Sequence, residues 1–292
     1  TSTSTVAAGD LDKDGDLDLF IGGRLIPNNY PYVPRSYILR NDGKTIFTDI
    51  TNKVNKELVN PGMITDALWS DFDEDSNLDL IIVGEWMPIR IFKNTGRDFI
   101  ELKSDGLKQT SGLWNCIESS DLDGDGDEDY IFGNISLNYK YQGTVDQPYH
   151  IFAGDFDNSG SLDIILGFSQ NGKVWPVRDK RSLEQQMPSL AQEYTDYESF
   201  ARSTVYDIID NFSGKYYHRQ VDQMASVILE NISAGDFQIH QLPTYAQFST
   251  VMDILARDLN ADGHTDLILA GNQYDMESNT TRLDAGKGLV LK

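Results

Sequence analysis

The sequence predicts an all-β chain of repeated four-stranded units with one helical interruption. Three observations predict it. An acidic nine-residue loop occurs five times, and each copy runs into an apolar strand that closes on glycine. Hairpins with turn residues follow those strands, so that units repeat at about 35–60 residues. Helical periodicity is confined to residues 179–223.

The loops carry oxygen-bearing side chains at positions 1, 3, 5, 7 and 9. They read Asp10, Asp12, Asp14, Asp16, Asp18; then Asp71, Asp73, Asp75, Asn77, Asp79; then Asp121, Asp123, Asp125, Asp127, Asp129. The fourth is Asp155, Asp157, Ser159, Ser161, Asp163, and the fifth Asp258, Asn260, Asp262, His264, Asp266. Calcium takes six to eight oxygens at about 2.3–2.6 Å in a flexible shell, and this spacing folds a short loop round one ion. Position 7 can serve through its backbone carbonyl, which lets its side chain vary. Position 6 is Gly15, Gly126, Gly160 and Gly263, as a sharp turn with positive φ favours; Ser76 departs from it. The first half is similar to an EF-hand loop. Position 12, however, is apolar (Ile21, Ile82, Phe132, Leu166, Leu269), and a strand follows instead of a helix. One such loop would read as a solvated acidic turn. Five in the same context predict up to five structural Ca²⁺.

Net charge is −22, but the five loop windows hold 22 of the 46 acidic residues. Five divalent ions would bring the chain to −12. The acidity is thus mostly a property of the loops. It argues against nucleic acid, whose phosphates need a basic stripe, and against docking on anionic membranes. No run is apolar enough for direct membrane insertion. Cys116, the single cysteine, lies in the apolar stretch Leu113–Ile117 and reads as a buried, inert thiol. Weak-to-moderate calcium sites suit an exported protein: extracellular, cell-surface or periplasmic. The chain starts at a strand and stops within a unit, so the expectation is a piece of a longer surface protein.

In chain order, residues 1–51 give two strands round the first loop, a long connection, and a hairpin turning at Asn41-Asp-Gly43. Residues 63–104 repeat this. Residues 113–147 form a shorter third unit with poorly marked outer strands. Residues 149–242 form a fourth, interrupted by a helical insertion at 179–223, and 250–292 a fifth. Within the insertion, Thr195-Asp-Tyr-Glu198 is a capping box, and Tyr197, Phe200, Ala201, Thr204 and Ile208 follow helical spacing. A shorter helix is expected over Arg181 to Met187. The hairpin Ala225–His240 is read as the delayed outer half of the fourth unit. Four-stranded units at this period predict the blades of a β-propeller, each burying both faces against its neighbours.

The loop, its closing Asp, the apolar strand and the glycine together resemble the FG-GAP or VCBS repeats of integrin-α-like propellers. The helical stretch Gln186-Met-Pro-Ser-Leu with Tyr197-Glu-Ser-Phe-Ala201 resembles bacterial surface proteins of the ASPIC, cartilage-acidic-protein-like type. The resemblance implies a propeller, usually of seven blades against five visible here, that is calcium-stabilised and used for recognition or adhesion. It implies metal loops on one face and ligands on the other. That opposite rim carries Arg24, Asn28, Tyr30, Tyr32, Trp86, Asn138, Tyr139, Tyr141, Phe168 and Tyr274. Such aromatics could stack on sugars or anchor a protein, or merely plug gaps between blades.

No catalytic residues are expected. Most carboxylates are committed to metal, and His150, His218 and His240 form no recognisable set. The sequons Asn134-Ile-Ser, Asn211-Phe-Ser, Asn231-Ile-Ser and Asn279-Thr-Thr matter only in a eukaryotic secretory route. The expectation is a non-catalytic recognition module for a protein or glycan. The alternatives are a module of a carbohydrate-active lyase or hydrolase, and a structural subunit of a surface assembly.

Overall fold

A computed structural model describes every residue except Thr1, Thr45, Asn211, Ser213, Ala234, Ser278 and Asn279. The sequons at Asn211 and Asn279 lie outside the described residues. The first sheet pairs Ser2–Gly9, Asp18–Leu25, Tyr37–Asn41 and Phe47–Asp49 in chain order. The second pairs Met63–Ser70, Asp79–Met87, Arg90–Asn94 and Phe99–Glu101 in the same way, and Gly112–Leu113 adds a short bridge. The last has three strands, Asp253–Arg257, Asp266–Ala270 and Leu289–Leu291.

The third sheet corrects the expected unit boundaries. Cys116–Ser120 and Asp129–Gly133 pair not with the next segment but with Val227–Ser233 and Asp236–Gln241. Phe132 lies opposite Val227, and Ile131 opposite Ile228. The hairpin assigned to the fourth unit therefore completes the third. Everything between Gly133 and Val227 is inserted inside that sheet, fourth loop included. The misreading arose because hairpin pattern marks a strand pair without saying which neighbour it joins.

Alternation within each inner strand explains the stacking. Leu80 and Ile82 enter a core shared with the first sheet, while Ile81 and Val83 enter one shared with the third. Tyr130 and Phe132 face the second sheet; Ile131 faces the last. Both faces are covered, which is why these runs are apolar throughout. The sheets stack in series: first, second, third, last. Among the described residues no core cluster joins last to first, and Val6, Leu255 and Val290 stay exposed on the end sheets.

A repeated asparagine ties the series together. Asn41, Asn94 and Asn231 occupy the same place in the outer hairpins, and each side-chain carbonyl accepts from a turn glycine amide, Gly43, Gly96 or Gly235. Asn94 Nδ2 donates to Leu11 O, and Asn231 Nδ2 to Phe72 O at 2.8 Å, so each hairpin is bonded to the loop of the preceding sheet. Asn41 reaches only Leu17 O of its own loop. Asn231 is buried and bonded in this way, and buried Asn134 donates instead to Gln223 O and Ala225 O, so neither sequon presents its amide to solvent. Replacing Asn231 or Asn94 by Ala is expected to cost about 2 kcal/mol each, since buried backbone groups lose their partners. Asn41→Ala should cost clearly less. Urea melts of the three variants check this, and equal losses would contradict the cross-sheet role.

The insertion has its own sheet, ordered Lys173–Pro176, Asp163–Gln170, Tyr149–Gly154, Tyr217–Val221. One face packs Phe152, Ile165 and Val174 against Leu183, Leu190, Phe200, Val205 and Ile208 of four short helices. The single amphipathic helix expected from Tyr197 to Ile208 is broken in two. Asp196, not Thr195, caps Tyr197–Ala201, accepting from Ser199 N. Thr204 then starts Val205–Ile208 through a capping box with Asp207. A second capping residue inside an apolar repeat stops one helix and starts another. The earlier helix spans Lys180–Gln186, with Asp179 as its cap.

Candidate metal loops and the covered rim

The sequence places carboxylates at fixed spacing, and the backbone makes them converge. In all five loops the amide of position 6 donates to an oxygen of the position-1 Asp. The pairs are Gly15 to Asp10 (3.0 Å), Ser76 to Asp71 (2.7 Å), Gly126 to Asp121 (3.2 Å), Gly160 to Asp155 (2.9 Å) and Gly263 to Asp258 (3.0 Å). The turn needs positive φ at position 6. Ser76 adopts φ 69° there without glycine's freedom, so the departure changes the strain and not the loop shape. The position-9 carboxylates are buried, and four accept the position-2 amide: Leu11, Leu122, Phe156 and Leu259 at 2.9–3.1 Å. In the first three sheets the hairpin amide of Asn41, Asn94 or Asn231 also donates to this Asp. Position 9 thus locks the loop to its hairpin.

Four clusters bring three carboxylates within 4.8 Å of one another: Asp10, Asp12 and Asp18; Asp71, Asp73 and Asp79; Asp121, Asp123 and Asp125; Asp155, Asp157 and Asp163. These clusters could hold metal ions. The fifth loop has Asn260 at position 3, and its amide nitrogen donates to Asp262 Oδ2 at 2.8 Å. Among the described residues, buried oxygens of Asp71, Asp73, Asp79, Asp127, Asp155 and Asp163 have no hydrogen-bond partner. Buried acceptors without donors are costly, and a cation is what such a set fits. Without one, burial and neighbouring carboxylates push Asp79 up to about 7, and Asp127 and Asp163 up to about 6. Asp14, Asp16, Asp75, Asn77, Asp127, Asp129, Ser159 and Ser161 lie on the same loops but outside the three-carboxylate sets, and among the described residues the fifth loop's Asp258, Asn260, Asp262, His264 and Asp266 form none. One resident was not foreseen: Lys93 Nζ pairs with Asp73 and lies 3.2 Å from Asp75, occupying part of the second loop with an ammonium.

The opposite rim is partly covered, with a cleft of about 340 Å³ remaining beside Tyr30, Trp86 and Tyr139. The second face of the inserted sheet lies on it, joining Tyr149 and Ile151 to Met63, Trp86, Ile135 and Tyr139 in one core. Trp86, at φ 60° beside a strand irregularity, stacks on Tyr149 with ring centres 5.5 Å apart. Its Nε1 donates to Tyr30 Oη (2.7 Å), and Tyr30 donates to Glu85, which also pairs with Arg24. Tyr32 meets Tyr217 across the junction at 5.5 Å. Trp86 and Tyr139, expected as ligand contacts or gap fillers, are both buried, Trp86 on the second sheet and Tyr139 on the insertion itself. Asn138 donates to Phe248 O (3.1 Å), while Asn28 and Tyr274 are exposed and apart from that core. Tyr141 and Phe168 stack at 4.7 Å and remain half-buried. Cys116 is buried, and burial first of all pushes its thiol up to about 12.

Two of the three histidines, His150 and His218, come together, while His240 pairs with Glu230 elsewhere. His150 Nδ1 lies 3.1 Å from His218 Nε2, and His150 Nε2 lies 2.9 Å from Ser169 Oγ. Cross-strand pairing brings them together, and sequence spacing gave no signal for it. Burial, then the neighbouring His218, hold His150 down at about 4. It is therefore neutral at pH 7 and a feeble base for Ser169. Because the folded value lies below the unfolded one, this group's stabilisation is complete above about pH 6.5. It is lost as pH falls towards 4, by up to about 2 kcal/mol after allowance for solvent screening. His150→Gln should flatten that part of the metal-free stability–pH curve; an unchanged curve would contradict the burial.

Residues 71–132 match the FG-GAP-like repeat family model, from the first Asp of the second loop to Phe132 beyond the third. No curated protein matches the chain. Among solved structures it is similar to a lectin of Agrocybe aegerita, described in work on specific recognition of non-reducing terminal N-acetylglucosamine. Identity is 14% over 96% of this chain, with a TM-score of 0.32. The chain spans 65% of that lectin's length. So loose a likeness carries neither fold detail nor ligand to this chain.

Proposed function

We propose that this chain is a calcium-stabilised, exported recognition module of the propeller type, binding a glycan or protein without chemistry. The observation that carries this reading is the set of buried, unpartnered carboxylate oxygens in repeated, backbone-locked loops. An all-oxygen donor set suits a hard cation, and the flexible loop suits calcium over smaller magnesium. Asp10, Asp12, Asp18 and their counterparts would hold the ions, with position-7 carbonyls as further donors. The metal role is structural: it neutralises clustered charge and fixes the ends of the stacked strands.

Ligand recognition falls to the insertion, because it stacks on Trp86 and itself carries Asn138, Tyr139, Tyr141 and Phe168. Neutral His150 beside Ser169 does not favour the enzyme alternative. Screening glycan and protein arrays with the intact chain, in millimolar calcium and again with EDTA, tests the reading. Calcium-dependent capture of a defined partner is expected. Turnover of an arrayed saccharide would overturn it in favour of an enzyme.

A further inference from the structure

We infer that the groove between the inserted sheet and its helix Tyr197–Ala201 is a binding site for a neutral oligosaccharide. This rests on the recognition reading above and names its site and ligand class. The groove encloses about 800 Å³ and is walled by Tyr141, Phe168, Trp175, Tyr197 and Phe200. Its lining contains no Leu, Ile or Met, the residues that anchor an amphipathic peptide. Flat aromatic faces suit the C–H face of a pyranose, whose positive edge meets the ring's negative quadrupole.

The rings are held in advance. Tyr141 stacks on Phe168 at 4.7 Å, and ammonium groups sit near three of the faces. Lys140 lies 4.9 Å from the Tyr141 ring centre, Lys173 5.7 Å from Trp175, and Lys180 5.6 Å from Tyr197. Aromatic side chains fixed in this way lose little entropy on binding. Tyr197 nevertheless stays 67% exposed, a large ring left at the mouth of a groove.

Charge selects the class. Arg178 is paired with Glu277 at 2.8 Å, and Lys180 with Glu184. Two of the three lining cations, Arg178 and Lys180, are thus compensated internally, and Lys140 lies against Tyr141, which weakens the pull on an anionic sugar. Their remaining N–H donors, with Gln170 and Ser203, supply polar edges for hydroxyl groups.

Titration calorimetry of the full chain in calcium, with a panel of neutral cello-, malto-, manno- and chito-hexasaccharides and a hyaluronan hexasaccharide, tests this. A neutral hexamer should bind, with affinity nearly constant between about 50 and 500 mM salt. Trp175→Ala and Tyr197→Ala should each weaken it about ten-fold or more, with unchanged melting curves. Binding indifferent to both substitutions would overturn the groove. Preference for hyaluronan with steep salt dependence would overturn the ligand class. If no hexamer binds a folded, calcium-responsive sample, the inference falls while the calcium reading stands. A sample whose melting ignores EDTA decides the calcium reading separately.

Discussion

Chelation of calcium is expected to lower the melting temperature by more than about 15 °C at pH 7.5. Each site at a hundred-fold excess over its dissociation constant adds about 2.7 kcal/mol. Each kcal/mol moves a domain of this size by about 2–4 °C. Three loops with converging carboxylates, the first, third and fourth, suffice for that sum. The second gains less, because Lys93 already lies against Asp73 and Asp75. The effect should also shrink in acid. Asp79, Asp127 and Asp163 hold protons more tightly folded than unfolded once metal is gone. The metal-free chain therefore gains stability from these groups as pH falls from about 7 towards 4, while protons compete with metal in the loaded chain. Scanning calorimetry at pH 7.5 and 5.5, with and without EDTA, measures both. Equal melting with and without EDTA at pH 7.5 would contradict the metal role.

Tyr149→Ala is expected to cost about 3–5 kcal/mol, the range for truncating a large buried ring. Tyr149 is 2% exposed, stacks on Trp86, and its hydroxyl meets that of Tyr139 at 3.3 Å. It belongs to the inserted sheet, whereas Trp86 belongs to the second sheet of the stacked series. The loss therefore falls on the junction. The insertion should become sensitive to protease and melt first, while calcium continues to protect the other loops. Native-state proteolysis, followed by mass analysis of the fragments, reads this. Uniform destabilisation without selective cleavage would show that insertion and stack fold as one unit.

The loops were legible because a loop that gathers oxygen donors imposes residue type at fixed spacing, and Asp121–Asp129 repeats it almost without departure. The inner strands were legible for a similar reason: Leu80–Val83 must bury both faces. Pairing between distant segments was not legible. Nothing local in Val227–Ser233 says that its neighbour is Tyr130–Phe132 and not Asp163–Gln170. Asn231 held the one usable signal, since it repeats Asn41 and Asn94 ahead of a turn glycine. The packing of the rim was not legible for the same reason: Trp86 reads equally as a ligand contact or as a gap filler until the inserted sheet stacks on it. Lys93 and the His150–His218–Ser169 set depend on cross-strand register, which spacing does not encode.

Native mass spectrometry of the chain, prepared metal-free and titrated with calcium, tests the central claim most directly. The expected result is stepwise addition reaching five ions. The first, third and fourth loops should fill before the second and fifth, and Lys93→Gln should move the second loop earlier. A chain that stays folded and takes up no calcium at millimolar concentration would contradict the account.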